Sequence, residues 1–307
     1  MLDPDELFEI EGDLSDIPRG LHLVAGLTGF ADAGGAVAQV GDYLRETLQH
    51  RPIAVFDQDQ LLDYRARRPI ITFDQDHLTD YRPARLDLSL AYDELQRPFL
   101  LLTGFEPDFQ WERFTQAVIS LIRQLEVATT TWVLAIPMPV PHTRPVGVTV
   151  SGNRKDLVEA MSVWRPHTQL PSNVLHLLEY RLCESGLSTV GFALLIPHYL
   201  SDTEYPQAAV AAVESISAAT GLIFPTDRLR ERGREFLAKV DEQVADNEEL
   251  HKLVAALELR HDSYMEKTSL RSPLTNEDGF IPSADAIAAE LENFLATRRL
   301  GDEPGVT

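Results

Sequence analysis

The sequence is poor in cysteine and in positive charge. It has one cysteine among 307 residues, Cys183, which excludes an internal disulfide framework, a cysteine-ligated zinc site and a four-cysteine iron–sulfur cluster. It contains 27 lysines and arginines and 48 aspartates and glutamates, which gives a formal net charge of −21. Because such a molecule repels phosphate backbones and anionic membrane surfaces, we expect neither a nucleic acid nor a membrane as its partner.

The sequence also lacks long apolar runs. The longest candidates, Thr131–Pro137 and Ser188–Pro197, fall far short of the ~18 residues that span a bilayer, and their composition indicates buried strands. The acidic N-terminal segment has neither the basic region nor the apolar region of a secretory signal. Together with the single cysteine, these absences lead us to expect a cytoplasmic protein.

What the sequence does have is an alternation of apolar, strand-like runs with amphipathic stretches. This alternation predicts an α/β domain with a largely parallel central sheet. The predicted strands cover residues 20–27, 98–103, 131–136 and 189–196, and the predicted helices cover residues 34–48, 109–127, 173–185 and 207–220.

Beyond residue 225 only helical periodicity remains. Two apolar stripes lie between residues 226 and 267, and a further helix is predicted from Ser283 to about Arg299. Asp246 and Glu249, three positions apart, resemble a capping box at the start of the second of these helices. We therefore predict an α/β core domain of residues 1–225 and an all-helical C-terminal appendage of residues 226–307.

One segment of the sequence is repeated. Residues Arg51–Arg67 align without gaps to Arg68–Ala84, with 11 identities in 17 positions. We interpret each copy as a short strand followed by an acidic turn and a Tyr-Arg pair, leading into the strand Leu86–Leu90 and making the sheet mixed. Two interpretations stay open: the copies form paired edge strands, or Asp63–Arg65 and Asp80–Arg82 line a shared binding surface.

Polar side chains follow the predicted parallel strands at the points where the strands end. In open α/β sheets, ligands usually bind beyond these carboxyl ends. The candidate ligand or partner site comprises Asp32, Glu106, Asp108, His142, Arg144 and His198. If the strands are adjacent, these carboxylates, the arginine and the histidines would bind an anion or transfer protons. The alternative is structural, because polar residues occur in every such loop and a carboxylate near an arginine often forms a structural ion pair.

The segment Pro137–Pro145 contains four prolines in nine residues. Because proline cannot continue a central strand, we expect the preceding strand to end at Ile136 and the loop to be extended and stiff. A stiff loop presents His142 and Arg144 to a ligand or a neighbouring subunit with little entropic cost. The alternative is a structural loop whose polar groups are satisfied within the fold.

The sequence contains no complete motif for catalysis or for cofactor binding. The glycines at 26, 29, 34 and 35 lie at a strand-to-helix turn but match neither the dinucleotide fingerprint nor the P-loop. The chain has no G-x-S-x-G nucleophile elbow and no H-E-x-x-H metal motif. We therefore expect no cofactor and no metal, and we assign no catalytic residue.

Four segments, in this order, resemble one protein family. They are Gly29–Gly35 (GFADAGG), Asp63–Pro69 (DYRARRP), Gly104–Trp111 (GFEPDFQW) and Pro141–Pro145 (PHTRP). Their combination is similar to the actinobacterial branch of the proteasome assembly chaperone two (PAC2) family. The similarity covers residues Leu21 to Phe224 and a helical tail of the expected kind.

The resemblance carries expectations about fold and function. It implies a three-layer α/β/α core similar to purine nucleoside phosphorylases, a helical C-terminal region, homo-oligomers such as trimers, and binding of proteasome subunits during assembly. Family members that dock on the proteasome use a C-terminal hydrophobic-tyrosine-any motif, whereas this chain ends Gly305-Val306-Thr307, so we do not expect docking in that manner. The negative surface would steer the chain toward a basic patch on a partner.

Two functional hypotheses follow. The first is a non-enzymatic assembly chaperone or scaffold that acts through protein–protein contacts, which the family motifs, the helical appendage and the incomplete catalytic motifs favour. The alternative is a phosphorylase- or hydrolase-like enzyme on small molecules, with its site at the carboxyl ends of the core strands.

Overall fold

An eight-stranded sheet forms the centre of the part of the chain that the computed structural model describes, residues 3–165 and 167–266. The strands, in chain order, are β1 (Phe8–Ile10), β2 (His22–Thr28), β3 (His50–Phe56), β4 (Ile70–Asp74), β5 (His77–Arg82), β6 (Leu86–Tyr92), β7 (Pro98–Phe105), β8 (Thr129–Met138), β9 (Gly147–Gly152) and β10 (Thr189–Pro197). The order across the sheet is β1-β3-β6-β7-β2-β8-β10-β9, and β4 pairs with β5 in a separate hairpin.

The sheet is parallel at its centre and antiparallel toward both edges. Strands β7, β2, β8 and β10 run parallel to one another. Strands β1, β3 and β6 on one side and β9 on the other pair with their neighbours in antiparallel fashion. The predicted α/β fold with a mixed sheet is confirmed.

Helices cover both faces of this sheet. The described helices are α1 (Ala36–Thr47), α2 (Gln58–Leu61), α3 (Trp111–Gln124), α4 (Lys155–Met161), α5 (Val174–Glu184), α6 (Pro206–Thr220), α7 (Asp227–Ala245) and α8 (Glu248–Met265). Buried residues of α1, α6 and α7 form one hydrophobic cluster and those of α3 and α5 form another. Along β8, Val133 belongs to the first cluster and its neighbours Trp132 and Leu134 to the second, as side chains that alternate across a sheet require.

The first helices after residue 225 pack on the α/β layer. Leu229, Val240 and Val244 of α7 and Val254 of α8 are buried in the same cluster as α1 and α6. The described residues up to Tyr264 form one compact unit. The domain boundary at residue 225 stays a prediction, and the helix predicted for Ser283–Arg299 lies outside the described residues.

Two details of the sequence predictions are wrong. The cap of α8 is Asn247 rather than Asp246, because the Asn247 side chain accepts from the backbone N–H groups of Glu249 and Leu250. Strand β8 does not end at Ile136 but continues through Pro137 to Met138, paired with β10. Proline is tolerated there because β8 pairs with β2 only up to Trp132, so Pro137 removes no hydrogen bond on that side.

The two repeat copies adopt different structures, so the interpretation as paired edge strands is wrong. The first copy forms β3, which lies between β1 and β6 in the main sheet, and then α2. The second copy forms the hairpin of β4 and β5.

Candidate functional site

His142, in the proline-rich loop after β8, is buried and held from two sides. It is 4% exposed. Its Nδ1 lies 2.7 Å from the Tyr199 hydroxyl, which also accepts from the His142 backbone N–H at 2.9 Å. Its Nε2 lies 3.1 Å from the Asp241 carboxylate on α7. If the Tyr199 hydroxyl donates to Nδ1, the Nε2 proton is donated to Asp241, so both ring nitrogens are occupied.

The neighbouring residues of this loop bind α8. The Arg144 guanidinium contacts both carboxylate oxygens of Asp262, at 2.9 and 2.7 Å, and lies 3.3 Å from Glu258. The Thr143 hydroxyl donates to the same Glu258 carboxylate. The bond from Arg144, with a further one from His261, lowers the pKa of Asp262 to about 2. Loop and helix are thereby joined by a bidentate ion pair.

A cavity of about 340 Å³ lies beside this loop, between it and helices α6 and α7. His142, Thr143 and Arg144 line one side of it. Arg230 and Glu214 line another side and form an ion pair with each other. The charged groups around the cavity are therefore largely neutralised within the chain.

Glu106, at the end of β7, is buried and holds three segments together. Its Oε1 accepts from the Val174 backbone N–H, the first residue of α5, at 2.8 Å. Its Oε2 accepts from the Phe30 backbone N–H at 3.3 Å. A Cβ on Gly29 would lie 2.3 Å from this oxygen, so glycine is required for the close approach. Glu106 thus connects the ends of β2 and β7 to α5.

Asp108 binds the segment that follows α2. Its carboxylate accepts from the Asp63 backbone N–H at 2.8 Å and forms an ion pair with Arg67. The Arg67 guanidinium also lies over the Phe105 ring, 5.5 Å from its centroid. The Asp63–Pro69 and Gly104–Trp111 segments, both singled out in the sequence, are therefore in contact.

Asp32 caps helix α1. Its two carboxylate oxygens accept from the backbone N–H groups of Val37 and Ala38, at 2.7 and 3.0 Å. Burial raises the pKa of Asp32, and these backbone hydrogen bonds act in the opposite direction. Asp32 also borders a cavity of about 510 Å³ between β2, β7 and α1, where Arg45, Arg67 and Arg85 are further lining residues.

His198 is the exposed member of the candidate set. It lies in a short 3-10 helix after β10, and its ring packs edge-on against Tyr199 at 5.4 Å between centroids. The rings of His198 and His142 therefore both contact Tyr199.

By their contacts, five of the six candidate residues fall into two groups, and the sixth, Asp32, binds the start of α1. In the first group, His142 and His198 contact Tyr199, His142 also binds α7, and Arg144 binds α8. In the second group, Glu106 and Asp108 join the ends of β2 and β7 to α5 and to the segment after α2. Within residues 3–165 and 167–266, no hydrogen bond or ion pair joins one group to the other. Each group stabilises its own part of the fold, and convergence of all six on one ligand stays a prediction.

Several residues of these networks were not predicted from the sequence. Tyr199 and Asp241 complete the contacts of His142, and Asp241 lies 99 positions away from it along the chain. Glu179 of α5 is a third case: it accepts from the Trp132 indole N–H at 2.8 Å and from Ser151 at 2.9 Å, and burial raises its pKa. Such helix residues carry no local signal, because their partners come from distant strands.

Exposed phenylalanines lie next to Glu106 and Asp108. Phe30, Phe105 and Phe109 are 69%, 37% and 50% exposed. We call these three residues, with Arg67 over Phe105, the aromatic patch. Exposed aromatic side chains beside an arginine are typical of protein interfaces.

Residues 3–165 and 167–266 contain no group of three or more His, Cys, Asp or Glu side chains placed to hold a metal ion. None of their helices is both long and apolar enough to cross a membrane.

Comparison with known proteins identifies the family to which this chain belongs. The PAC2 family model matches residues 26–244. A Corynebacterium glutamicum protein of unknown function is 34% identical with a TM-score of 0.82, covering 86% of this chain and 99% of that chain. A Mycobacterium tuberculosis protein of unknown function is 39% identical with a TM-score of 0.79, covering 87% of this chain and 94% of the other.

A more distant structure shares the fold. A Mycobacterium tuberculosis proteasome-assembly chaperone homologue is 23% identical with a TM-score of 0.69, covering 76% of this chain and 100% of that chain. A search of curated proteins found no match. The family match over most of the chain confirms the resemblance of the four segments, and the chain belongs to the PAC2 family.

Proposed function

We propose that this chain is a non-enzymatic, assembly-chaperone-like protein that acts through protein–protein contacts, with proteasome subunits as its partners. The PAC2 family match and the shared fold of a relative described as a proteasome-assembly chaperone homologue support this role. The alternative, an enzyme acting on small molecules, is not favoured.

The observation that carries the proposal is how the candidate catalytic groups are used. The two ring nitrogens of His142, the guanidinium of Arg144 and the carboxylate of Glu106 are all engaged by other parts of the same chain. A general base needs a free nitrogen or oxygen within reach of a substrate proton. These side chains act instead as connections between the sheet and its helices.

The surface supports protein contacts in two ways. The aromatic patch exposes apolar rings beside an arginine, as interface cores do. The net charge of −21 favours association with a basic partner surface and raises the association rate at low salt.

The proposal is tested with the full-length chain and recombinant, unassembled α and β subunits of a mycobacterial proteasome. Native mass spectrometry is expected to show a complex with unassembled subunits that weakens as salt is raised, because charge steers the encounter. The yield of assembled particles over time is expected to change when the chain is present. No complex at low salt, together with an unchanged assembly time course, would refute the role.

A parallel thermal-shift series tests the alternative. Inorganic phosphate and nucleosides, alone and in combination, are expected to leave the Tm of the full-length chain unchanged. A saturating ligand at 100 times its Kd would add about 2.7 kcal/mol to the free energy of unfolding, so a clear rise in Tm would favour the enzyme hypothesis instead.

A further inference from the structure

The cavity of about 510 Å³ lies where the neighbouring parallel strands β2 and β7 end. Helix α1 follows β2 and helix α3 follows β7, and the buried residues of these helices belong to the two clusters on opposite faces of the sheet. Where the connections from adjacent parallel strands leave toward opposite faces, they open a crevice in which α/β proteins bind ligands. We call this space the crevice cavity, and its volume is typical of small-molecule sites.

A buried carboxylate holds two arginines at the crevice cavity. Asp87 of β6 is 1% exposed, accepts from the Arg45 guanidinium at 2.7 Å and lies 3.8 Å from the guanidinium of Arg85. Arg45 also donates to the Thr103 hydroxyl of β7, at 2.8 Å. Arg45 and Arg85 both line the cavity. Because one aspartate serves two guanidiniums, this group keeps one positive charge at the cavity wall.

A third arginine and an aromatic ring continue this wall. The Arg67 guanidinium, whose charge Asp108 offsets, lies over the Phe105 ring at 5.5 Å from its centroid. Phe105 is 37% exposed, and it lines the cavity together with Val37 of α1. The cavity thus offers apolar surface beside its guanidiniums, which is the usual composition of a small-molecule site.

The wall formed by α1 carries negative charge. Asp32 and Asp42 line the cavity on this side. Both carboxylate oxygens of Asp32 accept from backbone N–H groups of the helix. Asp42 is exposed, and in the described part of the chain its side chain forms no hydrogen bond or ion pair. The crevice cavity therefore combines an uncompensated guanidinium with an unpaired carboxylate.

A glycine in the middle of α1 keeps the cavity open. Gly41 lines the cavity, and a Cβ added to it would lie 3.9 Å from its nearest neighbour, the Thr103 methyl, which is an ordinary contact. Glycine in a helix interior is unfavourable relative to alanine. Since the packing of this chain does not require glycine at position 41, a ligand that lies against the helix would account for it.

The two signs of charge select the class of ligand. A dianion such as phosphate would be repelled by Asp32 and Asp42, and a simple cation would be repelled by the guanidiniums. A guanidinium binds a carboxylate through two parallel hydrogen bonds, and an aspartate binds an ammonium group. A small molecule that carries both groups, with an apolar side chain against Phe105 and Val37, satisfies the whole lining.

We infer that the crevice cavity binds a small zwitterion, an amino acid or a short peptide, whose carboxylate binds Arg45 and Arg85 and whose ammonium group binds Asp42. The inference concerns binding without reaction. It does not rest on the proposed contacts with proteasome subunits, because it is tested with the purified chain alone.

The first test is an NMR titration of the full chain with L-leucine, glycyl-leucine and diglycyl-leucine, which share a side chain and differ in the separation of their charges. At least one is expected to bind with a Kd below about 1 mM, and the length that binds best distinguishes a free amino acid from a peptide. Acetylating the amino group or amidating the carboxylate of the best binder is expected to weaken binding at least about tenfold. No binding of any of the three at about 10 mM, or equal binding of the capped forms, would overturn the inference.

The second test removes the charges of the cavity one at a time. Arg85→Gln and Asp42→Asn are each expected to weaken binding of the best zwitterion at least about tenfold. Both side chains are exposed, so the variants should keep the circular dichroism spectrum of the wild type. Arg234→Gln and Glu46→Gln remove the same charges at exposed positions outside the cavity and are the matched controls. Wild-type affinity in either cavity variant would contradict the assigned contacts.

The third test fills the cavity from α1. Gly41→Leu is expected to abolish binding and to leave the Tm at least as high as in the wild type, because leucine favours a helix more than glycine does. Gly41→Ala adds only the Cβ, leaves most of the space open, and is expected to keep binding. Wild-type affinity in Gly41→Leu would show that the zwitterion does not lie in the crevice cavity and would overturn the inference.

Discussion

The two repeat copies give a comparison within one chain. Phe56 of the first copy is 2% exposed and packs against Phe8 and Phe114, whereas its counterpart Phe73 is 70% exposed. Both precede the same Asp-Gln-Asp sequence. In the first copy Asp57 caps α2, and in the second Gln75 adopts a φ of 55° in the hairpin turn. The same local sequence thus forms a core strand in one place and a surface hairpin in the other.

The difference lies in what surrounds each copy. The first copy has β1 and β6 as pairing neighbours, and the rings of Phe8 and Phe114 cover its phenylalanine. The second copy has only its own hairpin partner. Strand propensity measures how a side chain fits its neighbours more than an intrinsic backbone preference, so tertiary context decides between the two outcomes.

The largest expected effect is a difference in stability between variants of the equivalent phenylalanines, Phe56 and Phe73. Phe56→Ala is expected to lower the free energy of unfolding by about 3–5 kcal/mol, because it leaves a cavity in the core. Phe73→Ala is expected to change it by less than about 0.5 kcal/mol, because the side chain is exposed. Urea unfolding followed by circular dichroism measures both. Similar losses in the two variants would remove the distinction between a core copy and a surface copy.

The next prediction compares a half-buried tyrosine, Tyr199, with an exposed one, Tyr81. Tyr199→Phe leaves the His142 backbone N–H and ring nitrogen without their partner, which is expected to cost about 1–3 kcal/mol. Tyr81→Phe in the hairpin is the control and is expected to stay within about 0.5 kcal/mol. Chemical unfolding of the two variants in parallel provides the test, and a neutral Tyr199→Phe would mean that the His142 network does not stabilise the fold.

The equivalent aspartates should differ by a smaller amount. Asp57→Ala removes the side chain that accepts from the backbone N–H groups of Asp59 and Gln60, and a lost cap costs about 0.5–2 kcal/mol. Asp74→Ala removes no such cap and is expected to be nearly neutral. Thermal unfolding of both variants measures the difference. Equal Tm values for the two would show that Asp57 does not act as a cap.

The smallest effect concerns pH. The Asp59 carboxylate, which accepts from the Tyr64 hydroxyl, raises the pKa of Tyr64 from 10 to about 12. A raised pKa means that the neutral phenol is stabilised in the fold, so this contribution is present below pH 10 and is lost as the pH rises through 12. Absorbance titration at alkaline pH is expected to lose a tyrosine that titrates near pH 12 in Tyr64→Phe. Loss of an ordinary tyrosine near pH 10 would contradict the assignment.

The parallel centre of the sheet could be predicted from the sequence. Strands β2, β7, β8 and β10 are continuous apolar runs, and helices α1, α3, α5 and α6 have clear apolar periodicity, so local patterns identify them. Strand β6 was also predicted, as Leu86–Leu90, but the sequence does not show that both of its faces are buried. Asp87 and Ser89 alternate with leucines and suggest one exposed face. Both are buried: Asp87 pairs with Arg45 at 2.7 Å and accepts from the Ser89 hydroxyl at 2.7 Å.

The candidate site was predictable only in part. The residues at the strand ends could be found because loops after parallel strands collect polar side chains. Their partners could not, since Asp241, Glu258 and Asp262 come from helices α7 and α8 and lie 99 to 118 positions from the residues they bind. The different structures of the two repeat copies could not be predicted from the sequence for the same reason. The contacts that decide between them come from residues distant in the chain.

Hydrogen exchange of both copies in one protein tests the central comparison most directly. Amides of residues 53–56 are expected to exchange only through global unfolding. Amides of residues 70–82, in a hairpin outside the main sheet, are expected to exchange rapidly through local opening. Equal protection of the two segments would contradict the surface character of the second copy.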